Sequence, residues 1–156
     1  MMEKPILIVS ACLLGVPCRF DGKSKTNDAV IALKKDFTLV PICPEAAGGL
    51  KSPRPPAEQR GKRIIDKNGK DVTDAFLKGS HKVLARAKNV GAKAGLLKAN
   101  SPSCGVHAIY DGSFSKTLVA GQGTAAKLLS EAGLTLFDET ELERLDPSYI
   151  ASLPSL

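Results

Sequence analysis

Pro5-Ile6-Leu7-Ile8-Val9-Ser10-Ala11-Cys12-Leu13-Leu14-Gly15 is the stretch on which the reading of this chain turns. From Pro5 to Ala11 it is an almost continuous apolar run, which suits a strand covered on both faces, as in a parallel sheet. The run gives out into a glycine-bearing loop with Cys12 at its start. The same ending recurs twice, at Cys43 in Leu39-Val40-Pro41-Ile42-Cys43-Pro44-Glu45 and at Cys104 in Leu96-Leu97-Lys98-Ala99-Asn100-Ser101-Pro102-Ser103-Cys104-Gly105. Residues just past the carboxyl ends of neighbouring parallel strands meet along one edge of the sheet, the edge where α/β folds bind ligands. One such cysteine reads as a small buried apolar residue. Three, with Pro, Gly, Ser and Glu packed around them, read as one site that would hold a metal or cluster with a coordination position left open.

Working outward, Asn27 and Asp28 start a helix that ends on Lys34-Lys35, acid first and base last as the helix dipole favours. Phe37 to Ile42 is the second strand and completes a β-loop-α-β unit, whose right-handed crossover leaves both strand ends on one side. Residues 44–63, with four prolines and three glycines, read as a long irregular loop. Ile64 to Val72 reads as a small hairpin about Asn68-Gly69. A helix is expected from about Thr73 to Lys88, with Phe76, Val83, Leu84 and Ala87 on its inner face and Gly91 as its stop. Ala94 to Ala99 is the third strand. An excursion turning at Asp111-Gly112 leads to a helix over Gly121 to Ala132 with Thr124 as its cap. Leu134 to Phe137 is the fourth strand, and Asp138 opens a last short helix through Leu145. The expected architecture is one domain over 1–156, a three-layer α/β/α, Rossmann-like fold with a short, mostly parallel sheet.

The bulk properties agree with this size. A chain of 156 residues, 43% hydrophobic and 24% charged, can bury a core as a single domain. No run approaches the roughly 18 apolar residues needed to cross a bilayer, and residues 1–20 lack the layout of a signal peptide, so the expected location is the cytoplasm, with no membrane partner. Four cysteines in a reducing compartment serve metals or catalysis more often than disulfides. The net charge of +6 leaves room for an anionic partner such as tRNA. Lys and Arg are scattered, however, and five Phe, two Tyr and no Trp give little for stacking several bases.

The spacing of the cysteines excludes familiar alternatives. A phosphatase-type loop needs C-x5-R, whereas six residues separate Cys12 from Arg19. A thioredoxin-type centre or zinc ribbon needs C-x-x-C, and the closest pair, Cys12 and Cys18, has five residues between its members. A three-cysteine zinc site stays open on ligand count. Thiolate ligation without histidine suits an iron-sulfur cluster equally.

Several blocks together resemble the TudS-type thiouracil desulfidases, long catalogued as domain of unknown function 523. They are Ser10-Ala11-Cys12-Leu13-Leu14-Gly15, Cys18-Arg19-Phe20-Asp21-Gly22, Pro41-Ile42-Cys43-Pro44-Glu45, Gly48-Gly49-Leu50, Ser52-Pro53-Arg54, Gly69-Lys70-Asp71-Val72-Thr73, Leu97-Lys98, Ser101-Pro102-Ser103-Cys104-Gly105 and Ile109-Tyr110-Asp111-Gly112. The resemblance spans about residues 8–133, leaving a strand and helix in 134–156 outside it; Phe20 stands where the family more often has Tyr. It implies a 4Fe-4S cluster held by three cysteines, with the fourth iron open to the sulfur of a thiolated pyrimidine. By position the ligands are Cys12, Cys43 and Cys104, with Cys18, further out in its loop, as an additional candidate.

The activity implied is non-redox exchange of C=S for C=O with release of sulfide. As in the family, Glu45 is the candidate for moving the proton of the attacking water, against a plain surface carboxylate. Ser101 would hydrogen-bond the base ring or the water, or else serve only as a turn residue before Pro102. Arg54 and Lys98 are candidates for binding a phosphate or ribose or for shielding the charged cluster, against plain solvated side chains, and Gly48, Gly49 and Gly105 for letting backbone approach the cluster. His107, beside Cys104, reads as an ordinary polar residue. Two other functions fit the same residues: a zinc hydrolase using the three cysteines, and a non-catalytic binder of thiolated tRNA.

Overall fold

The computed structural model describes residues 3–156. The central strand is β1 (Ile6–Ser10). It pairs in parallel with β2 (Thr38–Ile42) on one side and β5 (Ala94–Leu97) on the other, and β5 pairs in parallel with β8 (Thr135–Asp138). The sheet order is therefore β2-β1-β5-β8. Since the chain leaves β1 toward β2 and returns to the far side at β5, the strand order reverses beside β1, which opens a crevice at the carboxyl edge.

The apolar run does what its composition demands. Leu7, Ile8 and Val9 are fully buried and alternate faces. Leu7 and Val9 pack with Val30, Phe37, Phe137 and Ile150, and Ile8 packs with Val83, Ala87, Ala126 and Leu129 on the opposite face. Each such side chain contributes about 2 kcal/mol of burial.

The first face is covered by α1 (Asp28–Ile31), which continues as a 3-10 turn over Ala32–Lys35, and by α5 (Pro147–Ser152). Asn27 caps α1 as predicted, its side chain accepting from the Val30 N–H at 3.1 Å. The second face is covered by α3 (Thr73–Val90), which stops at the left-handed Gly91, and α4 (Thr124–Glu131). A four-residue helix, α2 (Pro44–Ala47), starts directly after β2 with Pro44 in its first turn.

Several boundaries differ from the sequence reading. The main hairpin pairs β3 (Ala57–Arg60) with β4 (Arg63–Asp66), turning at Gly61-Lys62 inside the stretch expected to be irregular. The Asn68-Gly69 turn does form, with Gly69 at φ +85, but it closes only a single bridge between Ile65 and Asp71. A second ribbon, β6 (Ala108–Tyr110) with β7 (Leu118–Ala120), contains the Asp111-Gly112 turn. Gly123, not Thr124, is the cap position of α4, and the Thr124 hydroxyl pairs instead with that of Ser80 at 2.9 Å. Asp138 caps as expected, yet it opens a 3-10 segment, Glu139–Arg144, that is broken at Glu141, and α5 lies beyond the predicted end.

Candidate metal centre and substrate cleft

All three predicted ligand positions lie past strand ends of the one parallel sheet. Cys12 sits in the 3-10 turn Ala11–Leu14 that follows β1, and its carbonyl accepts from the Lys25 N–H at 2.9 Å, folding residues 15–26 back over it. Cys43 is the extended cap residue between β2 and α2. Cys104 follows β5 in a turn closed by Ser101, whose hydroxyl accepts from the Cys104 N–H at 3.0 Å and the Ser103 N–H at 3.2 Å.

That turn is seated on the start of α4. Ala125 and Ala126 donate to the Ser103 carbonyl at 2.9 and 3.2 Å, and a Cβ on Gly123 would lie 2.4 Å from the Ser103 carbonyl carbon. Glycine is required there for the approach.

Cys12 and Cys104 are buried, Cys18 and Cys43 half-buried, and none of the four forms a disulfide. Burial pushes the Cys104 thiol up to about 12 and the Cys12 thiol up to about 11, with neighbouring cysteines adding to both. A hydrogen bond from Cys18 brings Cys43 down to about 7 against the cost of burial, and raises Cys18 in turn. The four thiols thus form one electrostatic cluster, in which the Cys43 thiol reaches the Cys18 carbonyl at 4.0 Å.

Thiols held protonated by burial become ligands when a cation displaces the proton. The sulfurs of Cys12, Cys43 and Cys104 do not all fall within 4.8 Å of one another; among the described residues only His107, Asp138 and Glu141 bring three such atoms so close. A tetrahedral zinc with Zn–S of about 2.3 Å would draw its sulfurs to about 3.8 Å. The all-sulfur donor set fits a polynuclear cluster.

Glu45 is not a surface carboxylate. Its Oε1 accepts from Arg54 Nη2 at 2.9 Å and Nε at 3.2 Å, and its Oε2 accepts from the Ser103 hydroxyl at 2.8 Å. Arg54 also donates to the Cys18 carbonyl at 3.0 Å, the Lys51 carbonyl at 3.0 Å and Ser52 Oγ at 2.8 Å. All five guanidinium donors are engaged, so Arg54 clamps the Cys18 and Glu45 segments together and has no donor left for a phosphate or ribose.

Gly48 lies against the backbone of α3. A Cβ there would lie 2.0 Å from the Ala75 carbonyl oxygen, and one on Gly79 would lie 1.7 Å from that of Pro44. The two glycines let α2 and α3 touch backbone to backbone. Gly49, at φ +93 with nothing within 4 Å of its missing Cβ, ends the short helix. Gly105 is likewise hemmed in by carbonyl oxygens of Ser101 and Ala108.

A cleft of about 510 Å³ opens beside the thiols, with Glu45, Lys98, Ala99 and Ser101 on its inner side. Lys98 contributes to it while donating to Glu139 at 2.9 Å and to the Ala99 carbonyl at 3.1 Å. Phe20, Tyr110 and Phe114 line the outer part, together with Arg19, Lys25, Lys67 and Lys116. Phe114 and Lys116 hold left-handed backbone, and Glu58 secures their loop by accepting from the Gly112 and Phe114 N–H groups at 3.0 and 3.1 Å. His107 lies apart, paired with Glu141 at 2.7 Å.

Sequence reasoning missed Ser103, the residue that links Ser101 to Glu45, although it stands in the Ser-Pro-Ser-Cys block. It also missed the aromatic and basic outer wall, whose members come from four separate segments.

The family model for 2-thiouracil desulfurase matches residues 7–141. YbbK, an uncharacterized protein of Bacillus subtilis, is 39% identical over 147 aligned residues, covering 88% of this chain and 97% of that one. The structure of a 4Fe-4S-dependent thiouracil desulfidase, TudS, superposes with a TM-score of 0.86 at 40% identity, over 96% of this chain and 99% of that one. Among the described residues no helix is long and apolar enough to cross a membrane. With its parallel sheet, its strand-end thiols and a match over nearly the whole of its length, the chain belongs to the 2-thiouracil desulfurase family, enzymes that cleave a carbon–sulfur bond.

Proposed function

We propose that the protein desulfurates a thiopyrimidine without net redox change, water and C=S giving C=O and hydrogen sulfide. The observation that carries this is the convergence of Cys12, Cys43 and Cys104 at one sheet edge beside a carboxylate that faces a cleft. A 4Fe-4S cluster held there by the three cysteines, with one iron left free of protein ligands, would supply a thiophilic Lewis acid that polarises the C=S bond.

The remaining work belongs to the chain. Glu45 accepts the proton of the attacking water. Arg54 holds that carboxylate in place and offsets its charge from a largely buried position. Ser101 closes the turn that presents Cys104. Lys98, on the inner wall, keeps one ammonium proton beyond its two bonds, free for a pyrimidine oxygen.

The outer wall favours a substrate larger than a free base. Its basic side chains outnumber the two carboxylates of the cleft, Glu45 and Glu58, and both of those are already occupied by Arg54 and by backbone donors. A thiopyrimidine carrying phosphate, free or within RNA, matches this charge and the three rings. Activity on an RNA-borne thiopyrimidine would fall steeply with salt, whereas that on a free nucleotide would fall little.

The test is anaerobic reconstitution followed by measurement of iron, acid-labile sulfide, and sulfide release from 2-thiouracil, 4-thiouracil and their nucleotides. Iron-dependent release supports the reading. Release by zinc-loaded, iron-free protein, or none from any thiopyrimidine, overturns it.

A further inference from the structure

We propose that Ser103 is a positioning residue that aims the one free lone pair of Glu45 at the cleft. This rests on the reading of Glu45 as proton acceptor and goes beyond it by stating what sets the acceptor's direction. An ionised carboxylate offers about four acceptor sites. Two of those on Glu45, both on Oε1, are filled by Arg54 Nε and Nη2, and one on Oε2 is filled by Ser103 Oγ at 2.8 Å. What remains is a single site on Oε2, and Glu45 lies on the wall of the cleft.

The direction of the Ser103 hydroxyl is itself determined. A hydroxyl has one proton, and among the partners of Ser103 Oγ the Glu45 carboxylate at 2.8 Å takes it ahead of the Cys104 sulfur at 3.8 Å, so its 3.1 Å contact with Ser101 runs with Ser101 donating. Ser101 has no second choice of orientation, because its oxygen accepts from the N–H groups of Ser103 and Cys104. Backbone of the Cys104 turn therefore fixes Ser101, Ser101 fixes Ser103, and Ser103 fixes the outer oxygen of Glu45. Ser103 is 1% exposed and cannot touch substrate. Ser101 takes part in the same chain of bonds while lining the cleft.

Without Ser103 the carboxylate would keep its Arg54 anchor but gain a second open site on Oε2 and freedom to turn about that anchor. Misaiming a proton acceptor lowers the rate of the chemical step while leaving substrate binding alone.

The experiment uses iron-loaded Ser103→Ala, Ser103→Thr, Ser101→Ala and the Ser101→Ala/Ser103→Ala double variant, beside Glu45→Gln. Expected for Ser103→Ala is a fall in kcat of about 10-fold or more, with KM and iron content within about two-fold of the parent. Ser103→Thr, which keeps the hydroxyl, restores most of the rate. The double variant is no slower than Ser103→Ala alone. A readout that does not depend on turnover is the infrared carboxylate band of Glu45, isolated by subtracting the Glu45→Gln spectrum; it shifts in Ser103→Ala and returns in Ser103→Thr.

A kcat near the parent in Ser103→Ala, an unmoved carboxylate band, losses that multiply in the double variant, or loss of iron from Ser103→Ala each overturn the proposal; the last would make Ser103 a support of the Cys104 turn. If Glu45→Gln itself turns over like the parent, it is the underlying reading of Glu45 that fails.

Discussion

Arg54 closes on Glu45 with two nitrogens, Nη2 at 2.9 Å and Nε at 3.2 Å, and both end on the same oxygen, Oε1. The pair is well shielded, with side-chain exposures of 10% and 15%. In such surroundings removing one partner costs far more than the pair contributes, because the other charge is left unpaired.

Arg54→Ala is therefore expected to lower stability by about 3 kcal/mol, measured by urea unfolding of the loaded protein. Arg54→Lys keeps the charge but offers three donors where five are used, so it should recover only part of the loss. A full recovery would mean that charge alone, not the fork, secures the Cys18 and Glu45 segments.

Cys12→Ser, Cys43→Ser and Cys104→Ser should each cut iron content sharply. Cys18→Ser should retain most of it, since the substitution leaves in place the Cys18 carbonyl that meets the Cys43 thiol and Arg54. Iron and acid-labile sulfide analysis of the four variants decides this. Loss in Cys18→Ser equal to the others would make Cys18 a ligand. The strands are held by apolar side chains on both faces, so far-ultraviolet circular dichroism should be unchanged throughout.

Glu45→Gln should keep the cluster and the substrate affinity while lowering turnover by about 10²-fold or more. The amide oxygen can still accept from Arg54, and the Ser103 hydroxyl can turn to accept from the amide nitrogen, so the fold has little reason to change. Steady-state kinetics with iron content as the control checks it, and parental turnover would leave the carboxylate a purely structural partner of Arg54.

Gly79→Ala tests the contact between α2 and α3. Its Cβ would lie 1.7 Å from the Pro44 carbonyl oxygen, so the helices must separate, at a cost of about 2 kcal/mol or more. Because α2 carries Glu45 and is capped by Cys43, iron content should fall together with the unfolding midpoint. Gly49→Ala meets no atom and should cost only about 1 kcal/mol for its left-handed backbone, with iron retained.

The strands, the helix caps at Asn27 and Asp138, and the three cysteines past strand ends were legible in the sequence because each is written in adjacent residues: an apolar run, an Asx before a helix, a Pro or Gly after a strand. Parallel topology then dictated that those ends share an edge. The β3–β4 hairpin was not legible, since Ala57-Glu58-Gln59-Arg60 carries no alternating apolar pattern and is stabilised by its partner strand.

Nor could the sequence say that Gly48 and Arg54 serve the frame of the site. Gly48 meets a backbone 27 residues away, and the donors of Arg54 are consumed by residues between 2 and 36 positions distant. The bond from Ser103 to Glu45 spans 58 positions. Residue type and local pattern determine which groups reach the carboxyl edge. Which of their donors and acceptors remain free there is decided by hydrogen bonds between segments far apart in the chain, and only the folded structure contains those.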